Sequence, residues 1–234
     1  MRCPSIFLVL SLMTSPALAD AAGDCEKGAS PDAHIEGCSV MIESHPENAR
    51  NLAIYYGNRA LAYFAKRDFQ RAIADFSSAA ETNSDPYFFV GRGIVYAALG
   101  DCDRAIEDYN KAIALEPLYP KVYNNRAVCF RAKGDISNAI ADYTREIEIN
   151  PNEAVAYFNR GLAFKLQGNF ADAINDFTKA VSLNPKYAMA YFVRADTLVD
   201  EGDLRAADAD FKIASTLDPK LDRKNAHKAT PPMN

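Results

Sequence analysis

The sequence predicts an all-α fold, a right-handed α-solenoid of stacked antiparallel helix pairs. Three observations predict it. The phrase AYFNRGLAFKLQGNFADAINDF at 156–177 returns upstream as VYNNRAVCFRAKGDISNAIADY and downstream as AYFVRADTLVDEGDLRAADADF. Arg92, Arg126, Arg160 and Arg194 mark one phase of a 34-residue period, and Asp108, Asp142, Asp176 and Asp210 mark another. Each phrase is an amphipathic helix, a turn and a second amphipathic helix, a period that belongs to stacked helical repeats.

Composition fits a folded chain: 234 residues, 49% apolar and 24% charged. The first element is a leader over residues 1–19. Arg2 precedes a short apolar run, Ile6 to Met13, and then Ala17-Leu18-Ala19, the charged, greasy and small-residue parts of a secretory signal. The run is short for a bilayer span, and Asp24 before Cys25 argues against a lipid anchor. Cleavage is expected after Ala19, giving a periplasmic or secreted chain with no stable membrane insertion. Loss of Arg2 takes the formal charge from −5 to −6. Such a chain, with no basic stripe, has little to attract a phosphate backbone, so nucleic acid is disfavoured as a partner.

Residues 20–52 form the next segment. HIEGCSVMIESHP aligns without gaps to AIADYTREIEINP, a second helix and its closing proline, so residues 32–46 are expected to be a lone capping half-repeat. Pro46 lies 13 residues before Arg59, against 9 from Pro151 to Arg160, so the following helix should start a turn early. Five repeats then occupy 53–221, as 53–85, 86–119, 120–153, 154–187 and 188–221, and a polar tail fills 222–234.

Within each copy a small residue stands in the first helix (Ala60, Gly93, Ala127, Gly161, Ala195), with an aromatic three later in four copies and Leu198 in the last. The second helix carries alanine (Ala72, Ala105, Ala139, Ala173, Ala207) and an aromatic four on (Phe76, Tyr109, Tyr143, Phe177, Phe211). Small residues let the backbones approach while aromatics fill the flanks. Gly100, Gly134, Gly168 and Gly202 sit between the helices, and Pro117, Pro151, Pro185 and Pro219 close four copies. By these residues the chain resembles the tetratricopeptide repeat family over about 170 of its 234 residues, with Tyr56, Phe89, Tyr123, Tyr157 and Tyr191 in place of the usual tryptophan. In the last copy Asp208 and Ser215 replace apolar residues that elsewhere face the next repeat, so this copy is expected to cap the array. Glu146 replaces an alanine at a crossing point, for which the sequence offers no account.

Of five cysteines, Cys3 lies in the leader. Cys25 and Cys38 are expected to pair if the compartment is oxidising, a cross-link of about 3 kcal/mol, or else to remain buried thiols. Cys102 and Cys129 pair only if geometry allows. No metal site is expected, because CxxC spacing is absent and His34, His45 and His227 are the only histidines.

Every copy pairs an arginine with an aspartate 16 residues on: Arg59/Asp75, Arg92/Asp108, Arg126/Asp142, Arg160/Asp176 and Arg194/Asp210. They are read as ion pairs at a helix seam, with a charged ligand track as the alternative. The resemblance places binding on a concave face lined by the first helices, where an asparagine before the arginine holds the backbone of an extended peptide. Asn58, Asn125 and Asn159 match that position, with Asn124, Phe158, Phe192, Lys121, Arg131 and Lys165 beside them. The alternative is that these are seam packing and solvated polar residues. The lysine–asparagine–arginine clamp some relatives use for C-terminal carboxylates is not reproduced.

No nucleophile set or Gly-rich phosphate loop is present, so an enzyme is disfavoured and no cofactor is implied. Asp101 and Asp103 read as helix N-caps. The expected function is a non-catalytic scaffold that binds a peptide segment of a protein partner, with a structural subunit of a cell-envelope assembly as the alternative.

Overall fold

A computed structural model describes residues 16–44 and 48–221, and all regular structure among them is helical. The helices are α1 (Pro16–Lys27), α2 (Pro31–Glu43), α3 (Ala49–Ala65), α4 (Phe69–Thr82), α5 (Pro86–Ala98) and α6 (Cys102–Leu115). They continue with α7 (Val122–Ala132), α8 (Ile136–Ile149), α9 (Ala154–Leu166), α10 (Phe170–Leu183), α11 (Ala188–Glu201) and α12 (Leu204–Leu217). The expected leader core, Pro46 and the tail 222–234 lie outside the described residues, and the expected cleavage point after Ala19 falls inside α1. The chain divides into two compact units, the first ending at Val95 and the second beginning at Tyr96.

One local device builds most of the hairpins. Gly100, Gly134, Gly168 and Gly202 adopt φ of 79°, 80°, 77° and 89°. The next residue sends its N–H back to a carbonyl of the finished helix: Asp101 to Tyr96, Asp135 to Phe130, Asn169 to Phe164, each near 2.9 Å. That six-to-one bond after a left-handed residue satisfies an orphan carbonyl and stops the first helix. The same Asp or Asn is then the N-cap of the second helix, its side chain accepting from the N–H three residues on. One residue thus ends one helix and starts the next. At Asp68 the Arg71 side chain and its backbone N–H hold the carboxyl below the usual carboxylate range. Asp103 is not a cap; it lies in the first turn of α6, where Lys133 pairs with it.

The first unit corrects the expected N-terminus. Instead of a lone half-repeat, α1 and α2 form a full hairpin, and α2 packs on α3. At the arginine and aspartate positions of this pair stand Ala21 and Gly37. A Cβ on Gly37 would lie 2.6 Å from the Ala21 carbonyl oxygen, so the two backbones touch where other hairpins keep an ion pair. The Cys25 and Cys38 sulfurs lie 2.02 Å apart, with Cα atoms 4.5 Å apart, between these helices. α3 has 17 residues against 13 in α9, the extra turn foreseen from the proline spacing.

Alanines carry the crossings: Ala60, Ala72, Ala127, Ala139, Ala195 and Ala207 are fully buried. Beside them Phe76, Tyr109, Tyr143, Phe177 and Phe211 fill the core. In the last hairpin Asp208 is exposed, and Leu221 folds back into the cluster around Phe177 and Phe211. Glu146 is fully buried; Asn150 donates to its Oε1 at 3.2 Å, and Oε2 has no partner among the described residues.

The hairpin between α3 and α4 breaks the glycine rule, with Arg67 at φ 61°. A left-handed non-glycine residue costs about 1–2 kcal/mol, of which glycine's extra unfolded freedom returns about half. Arg67→Gly is therefore expected to stabilise the chain by about 0.5–1 kcal/mol, read as a higher urea midpoint at unchanged slope.

Candidate partner-binding face

The arginine of each first helix is the hub of the site's geometry. Arg59 gives Nε–H to Asp75 Oδ2 at 2.7 Å and an Nη2–H to Oδ1 at 2.9 Å. Arg126 holds Asp142 in the same fork at 2.7 Å and 2.7 Å, Arg160 holds Asp176 at 2.8 Å and 2.8 Å, and Arg194 holds Asp210 at 2.6 Å and 2.8 Å. Parallel paired bonds of this kind are the strong form of the interaction. The aspartates are buried and the arginines mostly so, at 8% and 19% side-chain exposure for Asp176 and Arg160. Accordingly the Arg160 guanidinium is pushed up by its bond to Asp176, against the opposing effect of burial. Arg92 and Asp108 fall in different units.

Each arginine makes a third bond that the sequence expectations do not include. The remaining Nη1 reaches the second helix of the preceding hairpin: Arg59 to Ser39, Arg92 to Ser77, Arg126 to Asn110, Arg160 to Thr144 and Arg194 to Thr178. Each acceptor directly follows the core aromatic of its helix, or Cys38 in α2. The guanidinium also lies between two rings of its own helix, Tyr157 and Phe164 at 5.8 Å from Arg160, and Tyr123 and Phe130 around Arg126. The signal was present as a polar residue after the aromatic in every copy.

The expected binding residues divide into three groups. Phe158 and Phe192 are core: Phe158 packs on Phe177 and Tyr187, and Phe192, 1% exposed, packs on Phe211. This is the seam-packing alternative, which no residue pattern in the sequence distinguishes from a free face. A second group is engaged within the chain. Lys165 pairs with Asp196 and, at 3.0 Å, with Asp200, so its charge is neutralised within the chain. Asn159 donates to Asn124 Oδ1 at 2.9 Å. The third group faces outward or lacks partners. Lys121 is exposed and stands 4.0 Å from Glu153, and Asn125 is half-buried with no hydrogen-bond partner for its carboxamide among the described residues. Arg131 lies beside Tyr143, yet its buried Nε and the Tyr143 hydroxyl have no hydrogen-bond partner among the described residues.

Asn58 behaves differently. Its Nδ2–H donates to the backbone carbonyl of Cys25 at 3.2 Å. A cavity of about 390 Å³ beside it is lined by Ser30, His34, Leu61 and Ala65, and a second of about 260 Å³ by Arg50, Ile54 and Tyr87. Ile54, Leu61, Tyr87 and Ile94 are exposed apolar side chains in this unit. Among the described residues no group of three or more His, Cys, Asp or Glu is arranged to hold a metal ion, and no helix is long and apolar enough to cross a membrane.

Models of the tetratricopeptide repeat match residues 53–86, 90–154 and 154–187. Among solved structures, MamA from residue 41 to its end, from Desulfovibrio magneticus RS-1, is 22% identical with a TM-score of 0.66, covering 72% of this chain and 96% of that one. A further MamA crystal structure is 23% identical with a TM-score of 0.64, covering 69% and 95%. YrrB, described as a TPR protein with an unusual peptide-binding site, is 22% identical with a TM-score of 0.65, covering 83% and 98%. At these identities the likeness concerns the fold. No curated protein matches the sequence.

The hub makes a quantitative expectation. Truncating one member strands a buried charge, so Asp176→Ala is expected to cost about 3 kcal/mol. Replacing both, Arg160→Leu with Asp176→Tyr, removes the stranded charge and should recover most of that loss. Urea denaturation of the two variants checks it.

Proposed function

The chain belongs to the tetratricopeptide repeat family, and from that premise we propose that it is a non-catalytic scaffold holding an extended peptide segment of a protein partner on the face of its first helices. Members of this family bind protein partners, and they are generally not catalysts. The observation that carries the reading is the bond from Asn58 to the Cys25 carbonyl: a first-helix asparagine already holds a peptide carbonyl. A carboxamide offers both donor and acceptor to a peptide unit. Asn125 carries the same group at the same repeat position with its bonding capacity unused; Lys121, Asn124 and Arg131 lie near it in sequence, and Asn159 holds the same position one repeat on. The partner's backbone would bond Asn125, with affinity supplied by the apolar residues between.

We further propose that the chain is exported, with cleavage after Ala19. Support comes from the order of Arg2, the apolar run and Ala17-Leu18-Ala19, and from the Cys25 and Cys38 sulfurs at bonding distance, a state that lasts in oxidising compartments.

The test is photo-crosslinking from two positions in the native host. A photoreactive residue at exposed Lys121 should capture a discrete protein, whereas one at exposed Glu107, on a second helix, should not. Asn125→Ala should weaken capture several-fold to about tenfold, the effect of losing one or two backbone hydrogen bonds. Equal capture from Glu107, unaffected by Asn125→Ala, would transfer the binding to the other face and favour an envelope assembly.

A further inference from the structure

The core of the second unit holds two thiols that nothing above uses. Cys102 is the first residue of α6 and half-buried; Cys129 is in α7 and fully buried. α6 packs on α7, and Lys133, just past the end of α7, pairs with Asp103 beside Cys102, which brings the start of α6 against the end of α7 that carries Cys129. Cys102 also lines an open cleft of about 460 Å³ with Leu99, Gly100, Asp101, Asp103 and Lys133. One sulfur of the pair therefore meets solvent and the other does not.

We propose that Cys102 and Cys129 are a redox modification site, closing reversibly to a second disulfide by exchange with a small disulfide such as oxidised glutathione. Cys102, reached through the cleft, attacks one sulfur of the reagent and expels one thiol, leaving a mixed disulfide on Cys102. Cys129 then attacks the Cys102 sulfur and expels the second thiol. Two protein thiols and one reagent disulfide become one protein disulfide and two reagent thiols, so protons and electrons balance. Burial, and after it the neighbouring Cys102, pushes the Cys129 thiol up to about 12. Such a thiol is inert toward external reagents and reacts only with a sulfur already delivered beside it. The tyrosines around it fit this isolation: Cys129 lies near Tyr109 and Tyr143, two buried rings whose own ionisation burial opposes. The product would tie the start of α6 to the end of α7, locking two consecutive hairpins.

The test uses the full chain, first treated with mild reductant, then with oxidised glutathione, then alkylated and digested. The proposal predicts loss of alkylation at both sites, a cross-linked pair of peptides carrying Cys102 and Cys129, and a raised Tm. Cys129→Ser should retain a stable glutathione adduct on Cys102. Cys102→Ser should leave Cys129 unmodified until the protein is unfolded. On titration with reductant the Cys102–Cys129 link should open before the Cys25–Cys38 link, because Cys25 and Cys38 are both fully buried. Two alkylatable thiols persisting in the wild type after treatment would overturn it, as would a wild-type adduct on Cys102 that Cys129 never displaces. Circular dichroism confirms that each variant is folded; if one is not, peptide mapping of the wild type alone decides.

Discussion

The arginine of the first helix is the interaction on which the rest of the structure depends. Its side chain passes between two helices, where a charge is expensive unless every donor finds an acceptor. The aspartate supplies a fork from its own hairpin, the Ser, Thr or Asn supplies a third acceptor from the preceding one, and two rings cover the faces. One residue thus fixes the pairing within a hairpin and the register between hairpins. An apolar seam tolerates small slips, since dispersion contacts have no direction. A forked charge pair does not, because a displaced fork leaves buried polar atoms unpaired.

The N-terminal hairpin shows what happens without the hub. Ala21 and Gly37 stand where Arg and Asp would be, and the helices close until their backbones meet. Direct approach, with the Cys25 and Cys38 sulfurs 2.02 Å apart, stands in place of the ion pair between α1 and α2. The same arrangement brings the Cys25 carbonyl to Asn58, so in the first unit the chain's own backbone occupies a first-helix asparagine. In the second unit Asn159 is braced by Asn124, and Asn125 is open.

Much of this was legible in the sequence, for a physical reason. Repetition multiplies each signal, so the 34-residue period, the crossing alanines and the Arg/Asp spacing of 16 each appeared several times. α1 was not legible as half of a hairpin, because its residues carry neither the arginine nor the aromatic by which the other copies announce themselves. Phe158 and Phe192 follow the seam-packing alternative, and the sequence leaves this open because an aromatic on a first helix looks the same whether the neighbouring hairpin covers it or not. The third partner of each arginine was visible but weak, as Ser, Thr and Asn on a helix surface ordinarily need no explanation. Glu146 stays an exception even with its surroundings known, a buried carboxylate with half its acceptors filled.

The guanidinium groups of Arg59, Arg126, Arg160 and Arg194 are locked into the seams rather than resting on the surface. Hydrogen exchange of the arginine Nε–H groups, resolved by side-chain NMR, reads this directly. Arg59, Arg126, Arg160 and Arg194 are expected to exchange as slowly as the core amides of their helices, while exposed Arg50 and Arg205 exchange at once. Exchange of the four at the rate of the exposed pair would contradict it, and would leave the array held by apolar packing alone.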